Sequence, residues 1–260
     1  MNIPIYQVDA FTEKLFGGNP AAVCPLEEWL PDGLMQSIAL ENNLSETAFF
    51  VRKKNTFEIR WFTPALEIDL CGHATLASAH VIFEHLGFAK PEIAFFSPKS
   101  GALRAIRKDG LLFLDFPAYE ARPVDPPGAL LHGLGKAPRE TYKGRDYLAI
   151  FEGESDIASL KPDSAELSKL DCIGIIASAR GDASDFVSRF FAPRAGVPED
   201  PVTGSSHTLL IPFWAKRLNM KKLHAFQISR RRGELFCEFL GKRVLIGGRA
   251  VTYLTGEIRV

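Results

Sequence analysis

Apolar and polar residues alternate with period two through most of this chain, in short segments closed by Gly, Pro, Asp or Lys, and that spacing predicts strands. The segments are Ile3–Val8, Thr47–Val51, Thr56–Phe62, Ile93–Phe96, Leu103–Arg107, Leu111–Phe116, Tyr147–Phe151, Ile173–Ser178, Phe186–Phe191, His224–Ser229, Leu235–Phe239 and Arg243–Ile246. Helical patterning interrupts them at about Asp32–Glu41, Gly72–Leu86, Ala165–Ser168 and Gly204–Leu218. Strands outnumber helices and regular crossovers are missing, which argues against a doubly wound nucleotide-binding sheet. The long helical stretches Ala74–Phe83 and Thr208–Ala215 are apolar or small on nearly every side, and a helix without a polar face is enclosed by other elements. The expected architecture is α+β, with a curved sheet around a central helix.

The pattern also repeats. Phe57, Arg60, Phe62 and Pro64 fall on Phe186, Arg189, Phe191 and Pro193 at a constant offset of 129. Each block then runs into a Gly-containing polar stretch that opens an apolar helix, Cys71-Gly72-His73-Ala74-Thr75 in one half and Asp200-Pro201-Val202-Thr203-Gly204-Ser205 in the other. At that offset Asp200 matches Cys71. Two such units predict two similar lobes and a cleft where both helix N-termini present backbone N–H groups to an anion. The proline-rich stretch Pro117–Gly128 lacks periodicity, as an extended connector does. It divides the chain into lobes 1–116 and 129–260 with a linker at 117–128, the last strand being free to return to the first lobe.

Charge narrows the function classes. The 31 basic and 31 acidic residues cancel, which argues against nucleic-acid or anionic-membrane binding by bulk electrostatics. Arg230-Arg231-Arg232 is short enough to read as a turn flank. The cysteines at 24, 71, 172 and 237 show no CxxC spacing and no metal-ligand grouping with the histidines. A reducing compartment and no metal are expected. With no basic, apolar leader and no apolar run near the ~20 residues of a membrane span, the expected location is the cytoplasm.

Three side chains stand out chemically. Glu46 lies where the chain turns into an apolar strand, and a carboxyl group at the lip of a core loses hydration, which favours a proton and suits acid and base roles. His73 opens a helix, where the dipole disfavours the imidazolium, so a neutral ring is expected. Asp200 precedes a helix start and could serve as its cap. Gly72, Gly204 and Ser205 offer unobstructed N–H groups to a carboxylate.

The strings Phe16-Gly17-Gly18-Asn19-Pro20-Ala21-Ala22-Val23, Leu44-Ser45-Glu46-Thr47-Ala48-Phe49, Cys71-Gly72-His73-Ala74-Thr75-Leu76, Glu199–His207 and Val244-Leu245-Ile246-Gly247-Gly248 together resemble the PhzF, or phenazine biosynthesis-like, family. They occur in order and span nearly the whole chain. The resemblance implies a diaminopimelate epimerase-like fold of two pseudo-symmetric lobes. It also implies a cofactor-independent isomerase that moves a proton on a small carboxylate; the type member acts on a dihydro-hydroxyanthranilate. It gives Glu46 the role of general acid/base, with His73 and Asp200 in support, and substrate contacts at Asn19, Ser45, Gly72, Ala74, Thr75, Gly204 and Ser205. No cofactor and a homodimer are implied. In the epimerase and racemase relatives one cysteine per lobe exchanges the proton; this chain keeps Cys71 but not a second one. Two other readings stand beside it: a binding module without turnover, and an epimerase that uses a Cys71 thiol activated by its helix. Arg232 departs from the Arg-Gly-Gly of many relatives, altering either a turn or the reach of a cation.

Overall fold

Strand Thr56–Phe62 shows how the period-two pattern becomes a core. Phe57, Ile59 and Trp61 are buried, while Thr56, Glu58 and Arg60 between them reach water, and each buried side chain of this size contributes about 1.5–3 kcal/mol. The computed structural model describes residues 1–260, in two units: Met1–Phe116 with Gly247–Val260, and Pro117–Ile246. Within the second unit, Pro123 stands opposite Tyr142 in a short antiparallel ladder.

The units repeat the same ladder. In the first, Asn19–Leu26 runs parallel to Glu46–Lys53, which is antiparallel to Thr56–Phe62, which is parallel to Glu92–Ser97, which is antiparallel to Gly101–Lys108. In the second, Tyr147–Ile150, Ile175–Ala179, Phe186–Ala192, Lys222–Gln227 and Gly233–Phe239 keep the same order of senses. Strand Asn2–Ala10 adds to the first unit between Asn19–Leu26 and the C-terminal strand Ala250–Arg259. The fold is α+β and sheet-dominated, with few helices.

Each unit encloses one long helix. In Gly72–Glu84 every residue from Gly72 to Phe83 is buried except His80. In Gly204–Leu218 the enclosed residues include His207, Leu210, Ile211 and Trp214, with Lys216 and Arg217 reaching water at its end. No helix is long and apolar enough to cross a membrane.

The repeat carries a half-buried clamp. Arg60 donates to both carboxylate oxygens of Glu67, at 2.7 and 3.0 Å, and Arg189 does the same to Glu199, at 2.7 and 2.8 Å. These pairs stand 132 residues apart at their glutamates and 129 at their arginines. The extra turn Pro193–Ala195, closed by Gly196 at φ 78°, accounts for the difference. Arg189 also donates to the carbonyls of Ile157 and Leu160. Arg189→Met would therefore strand three acceptors at once, and we expect a loss of about 2–3 kcal/mol in urea unfolding; a change under about 0.5 kcal/mol would show that the clamp is dispensable.

Candidate active site

In the first unit the path to the site begins at a tight turn. Gly18 has φ 60°, and a Cβ there would lie 2.1 Å from the carbonyl oxygen of Ala10, so only glycine fits. Asn19 comes next, fully buried at the start of its strand. Its parallel neighbour begins with Glu46, opposite Ala21, and Ser45 sits half-buried just before it.

The helix start closes the cluster. Glu46 Oε2 lies 3.0 Å from His73 Nε2, the two side chains being 15% and 6% exposed. His73 Nδ1 is 3.2 Å from Asn19 Nδ2, and the Cys71 sulfur lies beside the ring, 3.4 Å from Nδ1 and 4.0 Å from Nε2. When the ring is neutral, Nδ1 accepts from Asn19; when it is charged, Nδ1–H turns to the Cys71 sulfur, and in both states Nε2 faces Glu46 Oε2 at 3.0 Å. Ala74 and Thr75 are fully buried. The Thr75 hydroxyl and its N–H both donate to the Cys71 carbonyl.

Two electrostatic expectations are corrected. Burial opposes charge on His73, and the Cys71 thiolate and Glu46 carboxylate beside it raise its pKa above the ordinary histidine value; while the Cys71 sulfur keeps its proton, Glu46 is the partner that opposes the helix dipole. Burial, with Glu46 adding to it, pushes the Cys71 thiol up to about 11. A helix-opening cysteine lowers its pKa only when the dipole exceeds desolvation, and here it does not, so the activated thiol of the Cys71 epimerase reading is lost. A third correction concerns metal ligands. Cys71, His73 and Glu46 do come together, because the spacing Cys-x-His at a helix start brings both side chains beside a strand that the sequence places far away.

In the second unit Asp200, half-buried, accepts from the Thr203 hydroxyl. Thr203, not Asp200, is the residue that precedes the helix, with φ −113° and ψ 100°, as Cys71 does at φ −135° and ψ 114°. The inserted turn moves the register by three residues, so the structural counterpart of Cys71 is Thr203. The two-cysteine mechanism stays unavailable, and Asp200 is a carboxylate set one turn before the helix rather than its cap. Gly204 and Ser205 form the first turn, buried and half-buried respectively.

Gln227 lies outside every motif of the sequence and belongs to the site all the same. Its fully buried side chain accepts from the Thr203 N–H at 2.8 Å and donates to the Asp200 carbonyl at 2.8 Å, holding the approach to the helix. A lone glutamine in the apolar alternation of its strand was the one signal for it. Arg232 adopts φ 51°, the conformation glycine favours, and lays its guanidinium 4.2 Å from the Phe226 ring centroid. The turn is kept, and the cation is spent on the aromatic face.

His207, on the same helix, is fully buried, and its Nδ1–H donates to the Thr203 carbonyl at 2.8 Å. Burial lowers its pKa from 6.5 to about 4. Between these values the unfolded chain takes a proton that the folded one refuses, so stability present above pH 6.5 is lost as the pH falls toward 4. The largest loss is about 3 kcal/mol. Urea midpoints at pH 7 and 4.5 should converge in His207→Gln relative to the parent; an unchanged difference would exclude this histidine as the cause.

The chain matches the model of the phenazine biosynthesis-like protein family, PhzC-PhzF, over residues 8–256. A Pseudomonas aeruginosa protein described as an uncharacterized isomerase is 49% identical over 260 residues, covering 100% of both chains. The crystal structure of a PhzF-family protein from Enterococcus faecalis superposes with a TM-score of 0.98 at 47% identity over 100% of both chains. A probable proline racemase from Agrobacterium radiobacter shares the fold at a TM-score of 0.65 and 11% identity, over 99% of this chain and 93% of its own. A duplicated sheet-and-helix unit, the Glu46–His73 pair at one helix start and relatives matched end to end converge on one assignment: this chain belongs to the phenazine biosynthesis-like (PhzF) family and is an isomerase.

Proposed function

We propose that this isomerase moves a proton on a small carboxylate substrate without a cofactor, with Glu46 as general acid/base. The observation that carries the reading is the 3.0 Å contact between Glu46 Oε2 and His73 Nε2. A carboxylate and an imidazole in contact, both largely shielded from water, can pass a proton and restore their own states without an outside donor. Asn19 and Cys71 orient the ring, and Asp200, held by Thr203, is the supporting carboxylate of the other unit.

The substrate carboxylate is bound by main-chain N–H groups. First-turn amides of a helix have no intrahelical acceptor and carry the positive end of its dipole. Gly72 and Ala74 supply them in one unit and Gly204 and Ser205 in the other, with Ser45 beside Glu46; the Thr75 N–H, already donated to the Cys71 carbonyl, is not among them. The homodimer implied by the family and the cytoplasmic setting belong to the same proposal; sedimentation should give about twice the 28.8 kDa of one chain.

The test is a deuterium wash-in screen of small unsaturated and amino carboxylic acids in D2O, because exchange reports proton transfer before any product is known. The expected result is incorporation at one carbon of a subset of acids and none into the matching amides. Amides that exchange as well as acids would contradict the carboxylate requirement.

A further inference from the structure

Glu46, Cys71 and His73 each turn one ligand atom into the same small volume: a carboxylate oxygen, a thiol sulfur and a ring nitrogen, all within 4.8 Å of one another. No other group of three such side chains converges in the molecule. Cys24 and Cys237 are buried elsewhere in the core, and Cys172 is half-buried.

We propose that Glu46, Cys71 and His73 form a binding site for a thiophilic divalent cation, of which Zn2+ and Cd2+ are the chemical types. Nitrogen, sulfur and carboxylate oxygen are the donors zinc takes, at about 2.0–2.3 Å, and three protein ligands leave the fourth tetrahedral position open. Ligand atoms around such a centre stand about 3.3–3.6 Å apart. Here Glu46 Oε2 and His73 Nε2 are 3.0 Å apart, and Cys71 Sγ is 4.0 Å from His73 Nε2. Seating the ion asks for movements of about 1 Å from side chains whose backbones are fixed, two by the helix start and one by the sheet.

The alternative assignment of the cluster is ring orientation alone, with sulfur as a weak acceptor. That role needs no carboxylate on the same ring, and it makes no use of the softness of sulfur. The binding step balances simply: the thiol proton, and a proton on the ligating ring nitrogen if one is present, pass to water as metal–sulfur and metal–nitrogen bonds form, with no change of oxidation state. An ion held there takes Glu46 and His73 out of proton transfer and switches the enzyme off. That consequence rests on the function proposed above, whereas binding itself does not.

Cadmium chloride titrated into the metal-free protein tests the site directly, through the ultraviolet charge-transfer band of a cadmium thiolate and through calorimetry. One cadmium per chain with a thiolate band is expected. Cys71→Ser should abolish the band, and Glu46→Gln, which keeps the shape of the site, should weaken binding by about 100-fold. A parent protein without the band, a band that persists in Cys71→Ser and so arises at Cys172, or unchanged affinity in Glu46→Gln would each overturn the proposal. The Glu46→Gln comparison decides alone if the serine variant does not fold. None of these readouts uses turnover, so loss of the metal site leaves the isomerase reading standing.

Discussion

Glu46→Gln should reduce proton exchange by about 10²-fold or more while leaving carboxylate binding nearly intact. Glutamine keeps the length and shape of the side chain and a hydrogen-bonding oxygen for His73 Nε2, now 3.0 Å from the carboxylate, so the local fold has no cause to change. What disappears is the group that can take a proton from carbon and return it. The loss should fall on kcat rather than on KM, because the missing interaction belongs to the reacting state. Glu46 favours the charged form of His73, so the ring pKa, tracked by proton NMR, should fall in the same variant. Exchange at more than about a third of the parental rate would remove Glu46 from the chemistry.

Gly204→Val should abolish most carboxylate affinity with little effect on exchange chemistry at Glu46 itself. Gly204 opens the buried helix Gly204–Leu218, and a branched side chain there occupies the space through which a ligand oxygen reaches the first-turn amides. A charge-assisted hydrogen bond of this kind contributes about 1.5–3 kcal/mol, so calorimetry should show affinity falling by about 10- to 100-fold. Ser205→Ala, which leaves the amide in place, should change affinity by less than about 3-fold. Equal losses in the two variants would mean that the hydroxyl, not the main chain, holds the ligand.

The sheet and the two enclosed helices are readable in the sequence wherever one rule governs a segment. Thr56–Phe62 alternates because one face is core and the other meets water, and Gly72–Glu84 is apolar all round because sheet surrounds it. Where rules conflict, the pattern misleads. Strand Asn19–Leu26 contains Pro20 and Pro25, each lacking a ladder donor, yet it is paired on both sides. The C-terminal strand Ala250–Arg259 shows no buried face, with Tyr253–Glu257 exposed residue after residue, so no alternation marks it.

The site is legible in part for the same reason. Glu46, His73 and Asn19 lie on motifs that carry a family pattern, and the fold gathers them. The displaced partner of Cys71 is not legible, because three inserted residues between Pro193 and Glu199 leave the strand register untouched and shift only the residues C-terminal to the insertion. Nor is the charge state of His73 or the raised thiol of Cys71. Those depend on which groups stand within about 4 Å after folding, and spacing along the chain carries no such distance. Gln227 escapes because its role is to hold a backbone segment 24 residues earlier.

Deuterium incorporation into a responsive carboxylic acid, measured with protein dialysed exhaustively against EDTA and with Glu46→Gln beside it, tests the central claim most directly. The account predicts that the dialysed parent exchanges at the undialysed rate, that added flavin or metal brings no gain, and that the variant falls by about 10²-fold or more. Exchange that vanishes on dialysis and returns with a metal or an organic cofactor, or a variant that matches the parent, would contradict cofactor-free proton transfer by Glu46.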